Sequence, residues 1–406
     1  MPGNLLRLYD TLSGSIREFQ PSGPEVKLYV CGLTPYDATH LGHAFTMVSF
    51  DVLIRYLQHT GYPVRYVQNV TDVDDPLFAK ARQLGVSYVD LARAETEQYQ
   101  ADMRALNVQP PTVFPRASQE IAGMIELVER LFQTGHAYAV DGWVYYSVAR
   151  DPSYGELSHY DRETMIALAR ERGGDPDDPR RRDPLDFVLW RPSQADEPTQ
   201  ASPWGDGLPG WHLECSTMAL KYLDVPLDIH GGGSDLIFPH HENEIAQSAG
   251  ATGTKPLARF WMHTGMVYLG GAKMSKSLGN MVFVRDLTPE YGADAVRLYL
   301  SGCHYRAELH HDDAGLRAAR RLADHLAEAV AIGDGVGEDV LDAGEYRRQF
   351  LERMDDDLNT PGAIVVLQEL ADEIKVAGEA GRGVNAAQDV LRELGGVLGL
   401  QLHSSE

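Results

Sequence analysis

The chain is poor in cysteine, poor in positive charge, and free of any long apolar run. Its three cysteines, Cys31, Cys215 and Cys303 in 406 residues, are too sparse and too odd in number for a disulfide framework, and they fit a reducing compartment. No segment approaches the roughly 18 consecutive apolar residues of a membrane span. The opening stretch MPGNLLRLYDTLSGSIREF lacks the basic start and apolar core of a secretory signal. The expectation is a cytoplasmic protein with no membrane partner. Lys and Arg number 36 against 59 Asp and Glu, a net charge of −23. Proteins that grip a nucleic-acid backbone usually carry a basic stripe. Here the one dense basic cluster is PRRRDP, Pro179 to Pro184, so DNA is not expected as a partner and RNA could be held only through a local patch.

What is present is an ordinary globular composition, 43% apolar and 23% charged, long enough for two or three domains. An alternating segment around SGS suggests an N-terminal hairpin over 1–24. EVKLYVCG reads as a buried strand, AFTMVSFDVLIRYLQHTG as a helix stopped by glycine, and PVRYVQNV as a second strand. That is a βαβ unit, whose ligands bind at the carboxyl ends of the strands. Gln83 to Val108 reads as helical for most of its length, SQEIAGMIELVERLFQTG as another helix beginning near Ser118, and AYAVDGWVYYSV as a hairpin. The expected organisation is a first half of an α/β catalytic domain over 25–145 and an insertion rich in Asp, Arg, Pro and Gly over 146–209. The second half of the catalytic domain covers 210–280, a connecting segment 281–310, and a helical domain 311–406. In the last of these, Leu316, Ala319, Ala323, Leu326 and Val330 form an apolar stripe, and Thr360 with Pro361 reads as a helix start.

Three sets of residues carry chemistry. In CGLTPYDATHLGH, His40 and His43 flank Gly42 between a strand and a helix start, where free N–H groups and imidazole donors suit a phosphate. In KMSKS, Lys273 and Lys276 sit on a loop of small residues, able to neutralise a pyrophosphate leaving group. Cys31, Cys215 and the FPHHENE stretch with His240 and Glu244 combine thiolate, imidazole and carboxylate, a donor set suited to zinc. Asp72, Asp74 and Asp75 read as structural residues that cap the helix after them.

The first two motifs together resemble the signature pair of class I aminoacyl-tRNA synthetases. YDATHLGHA, NVTDVDD, RDPLDFVLW, GWHLECS, DIHGGGSDLIFPHHENE and KMSKSLGN resemble cysteinyl-tRNA synthetases over most of residues 25–310. The resemblance implies an α/β fold: a Rossmann-like class I catalytic core with an insertion and a C-terminal helical bundle. It implies one Zn2+ held by Cys31, Cys215, His240 and Glu244, binding the thiol of substrate L-cysteine. It implies ATP, with Mg2+, as the second substrate, and His40, His43, Lys273 and Lys276 as the catalytic residues that stabilise the pyrophosphate. Cysteinyl-adenylate would lie against Cys31, Gly32, Leu33, Thr34, Thr46, Asn69, Val70, Thr71, Trp211, Gly233, Ser234, Asp235 and Val267. Within this lineage the spellings CGLTPYDATHLGHA and YVQNVTDVDDPLFAKA, the ERGGDP stretch and the short chain after Ser277 look more like the mycothiol-pathway cysteine ligase. That enzyme joins cysteine to the amino group of glucosaminyl-inositol. The expected acceptor is therefore the amino sugar, with tRNA as the alternative. HHENEIAQS, with Glu244, is synthetase-like instead.

Overall fold

The computed structural model describes residues 5–36, 39–274, 281–333 and 339–403. At its centre is a parallel four-stranded sheet. Strand β1 (Val26–Leu33) leads into helix α1 (Leu41–His59) and strand β2 (Val64–Val70). After the insertion come helix α2 (Trp211–Leu223), strand β3 (Leu227–Gly233), helix α3 (Glu242–Thr252) and strand β4 (Ala258–Thr264). The strand order is β4-β3-β1-β2, and all three pairings are parallel. Single bridges from Val113 and Arg116 continue the sheet beyond β2.

Parity along β1 decides what each face holds. Leu28 and Val30 enter one core with Phe45, Phe50 and Leu53 of α1. Tyr29 and Cys31 enter the other, with Cys215 and Met218 of α2 and Trp261 of β4. Successive side chains on a strand point to opposite faces, so burying Val30 against α1 commits Cys31 to the side where α2 delivers Cys215.

Several elements differ from the sequence reading, each for a local reason. α1 begins at Leu41, so Gly42 and His43 lie inside its first turn and His40 is the cap. The segment 83–108 is helical over Tyr88–Ala105, and its first two residues close a separate helix, Asp75–Leu84, that stops where Gly85 takes a left-handed φ of 67°. Ser118 does not cap the next helix, which runs Ile121–Gln133; its N–H and hydroxyl both donate to Asp72. The Ala137–Val140 and Trp143–Tyr146 hairpin, with Asp141 and Gly142 both at positive φ, groups with Phe187–Pro192 and Gly207–Pro209 in a second, antiparallel sheet. One helix, Arg162–Glu171, occupies the stretch that showed little periodicity.

Helices α4 (Ala293–Ser301), α5 (Asp313–Ala331), α6 (Gly344–Asp355), α7 (Thr360–Glu379) and α8 (Asn385–Val397) form the C-terminal bundle. The apolar stripe on α5 is buried along its length. Asn359, not Thr360, caps α7, its side chain accepting from the Gly362 N–H. Buried Arg297 of α4 ties the bundle to the catalytic core. Its guanidinium donates to Asp51 of α1 at 2.6 Å and to the carbonyls of Leu398 and Leu106 at 2.7 and 2.9 Å. No helix among the described residues is long and apolar enough to cross a membrane.

Candidate active site

The residues expected around an adenylate converge on the carboxyl ends of the central strands. Gly32, Leu33 and Thr34 follow Cys31 out of β1; Asn69, Val70 and Thr71 end β2; Gly233, Ser234 and Asp235 turn out of β3. Gly32 is required by close approach: a Cβ there would lie 1.7 Å from the Asn69 carbonyl oxygen. The Asn69 side chain is occupied within the protein, accepting from the Gly32 N–H at 2.8 Å and donating to Thr71 Oγ1 at 3.1 Å. It holds β1 and β2 in register at the rim. Thr46 of α1 meets Thr264 at the end of β4, hydroxyl to hydroxyl at 2.8 Å. Val267, buried on the short strand after β4, accepts from the Met274 N–H through its carbonyl.

The candidate metal ligands form the tightest cluster. Cys31, Cys215, His240 and Glu244 are all buried, with one ligand atom from each within 4.8 Å of the others. Cys31 Sγ is 3.8 Å from Cys215 Sγ and 3.6 Å from Glu244 Oε1, and His240 Nε2 is 3.1 Å from Glu244 Oε1. By hydrogen-bond geometry His240 Nε2 and Glu244 Oε2 are both left without a partner in the interior, a costly arrangement that a bound cation relieves. Two sulfurs, an imidazole and a carboxylate at this spacing fit zinc.

The charges follow from mutual contact. Burial pushes the Cys31 thiol well up, and neighbouring Cys215 and Glu244 add to that. Burial also pushes Cys215 up, but the hydrogen bond from Cys31 and the charge of His240 outweigh it and bring the thiol down to about 6. Burial pulls His240 down, yet Glu244 and Cys215 hold it up at about 10. Glu244 stays ionised down to about 2, because His230 and His240 overcome its burial.

Beneath lies a histidine layer of which the sequence reading offered only His241, the second histidine of FPHHENE, and missed His212, His230 and His263. Cys31, His230, His241 and Glu244 make a second buried tetrad sharing two members with the first. His241 Nε2 lies 3.2 Å from Cys31 Sγ, and its Nδ1 bonds His263 Nε2 at 2.7 Å; His263 in turn bonds the Thr11 hydroxyl. His212 Nδ1 meets His240 Nδ1 at 2.9 Å, and the Trp211 ring stacks on His240 at 4.1 Å. Burial drives His212, His241 and His263 toward the neutral form, His263 down to about 3. The available signal was periodicity: His230 lies two residues after Asp228 on β3 and faces the same side as Cys31 on neighbouring β1.

The phosphate end departs from expectation in one respect. The first free N–H groups of α1 do not wait for an anion. The His40 ring caps them, with Nδ1 accepting from Gly42 at 3.1 Å and His43 at 3.4 Å. Accepting at Nδ1 fixes the neutral tautomer with its proton on Nε2, and the His43 ring stacks on it at 3.9 Å. Lys273 is placed by its backbone, paired with Tyr268 in a short hairpin; Lys276 lies outside the described residues. Asp74 caps the helix after β2, accepting from the Asp75 N–H at 2.9 Å and from Thr34 Oγ1 at 3.4 Å. Asp75 pairs with Arg191, and Asp72 serves Ser118. Of the three, only Asp74 caps the helix as expected; Asp72 and Asp75 are engaged elsewhere in the protein.

A cleft of about 640 Å3 opens from Trp211, His212 and Asn243 toward the insertion. Arg172 closes one side, its guanidinium donating to the carbonyls of Asp235 and Phe238 on the turn between β3 and His240.

Residues 18–321 match the family described as the tRNA synthetases class I (C) catalytic domain, and residues 349–403 match the DALR domain. Among curated proteins, a cysteine–tRNA ligase of Dehalococcoides mccartyi is 44% identical over 405 residues, covering 99% of this chain and 88% of that protein. One from Erwinia tasmaniensis is 45% identical over 400 residues, covering 98% and 85%. Among solved structures, Mycobacterium tuberculosis methionyl-tRNA synthetase in complex with methionyl-adenylate superposes with a TM-score of 0.65 at 18% identity, covering 92% of this chain and 89% of that one. A ternary LeuRS–tRNA–LeuAMS complex from Agrobacterium radiobacter gives 0.63 at 13% identity, covering 95% and 86%. At those identities the likeness speaks to fold.

Proposed function

Since the chain belongs to the class I (C) tRNA synthetase family, whose members are ATP-dependent, AMP-forming ligases, we propose that it activates L-cysteine and transfers it to tRNA. The observation that carries cysteine as the substrate is the buried Cys31–Cys215–His240–Glu244 tetrad, on the same sheet edge as the His40–His43 pair. A cavity that told cysteine from serine or alanine by shape would gain only about 1–3 kcal/mol. Zinc held by these four residues supplies a thiolate-selective Lewis acid.

Those four residues would hold the metal at the same end of β1 as the first turn of α1, so a cysteine seated in the cleft would present its carboxylate to that turn. A carboxylate oxygen attacks the α-phosphorus of ATP, a cysteinyl-adenylate forms, and pyrophosphate leaves. The His40 Nε2–H and the His43 ring receive charge developing on the phosphate oxygens, joined by Lys273 and Lys276 of the KMSKS loop. Thr34, Trp211 and Asp235 flank the aminoacyl group. In the second step a ribose hydroxyl of the tRNA terminus attacks the acyl carbon, and AMP leaves. Positioning and charge stabilisation carry both steps, with no covalent enzyme intermediate.

For the acceptor, the comparisons reverse the order suggested by local spellings. The relatives at 44 and 45% identity over nearly the whole chain are named cysteine–tRNA ligases. Glu244 sits inside the metal cluster, where the synthetase-like HHENE spelling puts it, and the bundle matches the DALR domain. The test offers tRNA and glucosaminyl-inositol in parallel to enzyme given cysteine, ATP and zinc. Cysteinylation of tRNA without amide formation on the sugar is expected. Amide on the sugar with uncharged tRNA would overturn the acceptor, and no cysteine-dependent pyrophosphate exchange would overturn the activity.

A further inference from the structure

Two of the four metal ligands, His240 and Glu244, lie on or just after a stretch with broken helical bonding. After β3 the chain makes a short turn over Ser234–Leu236 and a wide one over Ile237–His241, and only then enters α3. Inside the wide turn Phe238 is extended, with φ −136° and ψ 137°. Two carbonyls here lose their ordinary helical donors. Residue 239 is proline, so it offers no N–H to the Asp235 carbonyl four residues back. The Glu242 N–H goes to the carbonyls of Ile237 and Pro239, passing over Phe238. Phe238 is fully buried, where a backbone carbonyl without a partner is costly.

One nitrogen from the insertion serves both carbonyls. Arg172 closes the helix Arg162–Glu171, and its Nη1 donates to Asp235 and to Phe238. Three more bonds run from the insertion to the same region. The Gly155 and Ser158 N–H groups donate to the buried Glu242 carboxylate at 2.9 and 3.0 Å, and the Tyr154 hydroxyl donates to Asn243 Oδ1 at 2.6 Å. Tyr154 and Tyr160 also set their rings edge-on to Phe238, at 6.3 and 6.4 Å. The gripped residues run from Asp235 to Asn243, on both sides of His240 and up to the neighbour of Glu244.

We infer that Arg172 and Glu242 are positioning residues for the metal. The insertion, locked through them to the stretch Asp235–Asn243, sets where His240 and Glu244 stand opposite Cys31 and Cys215. Neither residue is a ligand. The two cysteines come from β1 and α2, which these insertion bonds do not touch, so only half of the tetrad depends on the grip. Partners that hold metal ligands in place commonly govern affinity by about 10- to 100-fold. The substrate thiol joins the same ion, so cysteine binding follows the grip, whereas ATP at the α1 end does not feel it. The inference rests on the tetrad being the zinc site that the function above assigns.

The test titrates zinc into metal-free full-length chain against a chelator, for wild type, Arg172→Met, Arg172→Lys, Glu242→Gln and Arg162→Met. Visible absorption of each Co2+ form reads the ligand geometry, and ATP binding by calorimetry checks that each variant is folded at the α1 end. Arg172→Met and Glu242→Gln should each bind zinc about 10- to 100-fold more weakly, with a shifted Co2+ spectrum and unchanged ATP affinity. Lysine keeps several donors on one nitrogen, so Arg172→Lys should recover most of the loss. Arg162→Met removes only the Arg162–Asp183 pair within the insertion and should match wild type. Wild-type zinc affinity and spectrum in both Arg172→Met and Glu242→Gln overturn the proposal, as does an equal loss in Arg162→Met. If Arg172→Met does not bind ATP, Glu242→Gln alone decides. A wild type that takes up no zinc removes the metal reading and this inference with it. Zinc uptake with the expected losses, but no cysteine-dependent pyrophosphate exchange, keeps the positioning residues and removes the activity instead.

Discussion

Zinc binding should release two protons per chain at pH 7.4, and the count follows from the charge pattern of the tetrad itself. Glu244, held down to about 2, and Cys215, drawn down to about 6, are already ionised at that pH. Cys31, pushed up by burial and by its neighbours Cys215 and Glu244, carries a proton. His240, held up at about 10 by Glu244 and Cys215 against its burial, is an imidazolium. A metal ligand must be thiolate or neutral imidazole, so zinc displaces one proton from Cys31 and one from His240. The sign is fixed: released protons make binding tighter as pH rises. Two of them make the affinity climb about a hundredfold per pH unit around neutrality. The alternative tetrad uses His241, already neutral, and does not displace the His240 proton, so there the affinity would climb only about tenfold. Calorimetry in two buffers of different ionisation enthalpy counts the protons, and chelator competition at pH 7 and 8 gives the slope. One proton and a tenfold slope would refute the assignment of Cys215 and His240 as ligands, and would move zinc to His230 and His241.

Three further outcomes are expected. Arg297→Met leaves the Leu398 and Leu106 carbonyls without this buried donor while Asp51 keeps Arg55 and the Gln109 N–H, and should cost about 2–4 kcal/mol. A thermal melt lowered by less than a degree would refute that. Burial raises the Asp74 carboxyl to about 7, and Asp75 adds to it. The folded state therefore holds this proton more tightly than the unfolded chain, and stability falls as pH rises from about 4 through 7. Asn also caps helices, so Asp74→Asn should be more stable than wild type at pH 8, by at most about 4 kcal/mol and less with partial solvent access. The advantage should vanish at pH 4; an equal advantage at both pH values in denaturant titrations would refute it. His40 joins two roles that His40→Asn separates: a side-chain oxygen preserves the cap, so melting should stay near wild type. Cysteine-dependent pyrophosphate exchange should still drop about a hundredfold for want of the Nε2–H donor, and a wild-type rate would make His40 a cap alone.

The βαβ frame and the residues of the buried Cys31–Cys215–His240–Glu244 cluster were legible because each rests on short-range chemistry: a strand's alternation, a glycine where a helix stops, a side-chain type. What was not legible needed two distant segments at once. The helix Asp75–Leu84, closed by Gly85 in a left-handed turn, had no reading of its own in the sequence. His230, His241, His212 and His263 come from four elements that meet only in three dimensions. The PRRRDP cluster was visible as a charge run, but the ring beneath each guanidinium came from a hairpin some forty residues earlier, and from pairing Tyr138 opposite Tyr145.

β1 explains why the two halves of the chemistry are adjacent. Its alternation sends Val30 into the α1 core and Cys31 to the opposite face, where α2 brings Cys215. Two residues later the strand ends, and the chain turns into the His40-capped first turn of α1. Moving the register of β1 by one residue would bury Cys31 against α1 and strand the metal site without its shared ligand. The Gly32–Asn69 contact, at 2.8 Å and closed to any Cβ, is what forbids that slip. Gly32 therefore serves the strand: its bare backbone lets β1 lie against Asn69, and that fit sets Cys31 on the face where Cys215 lies.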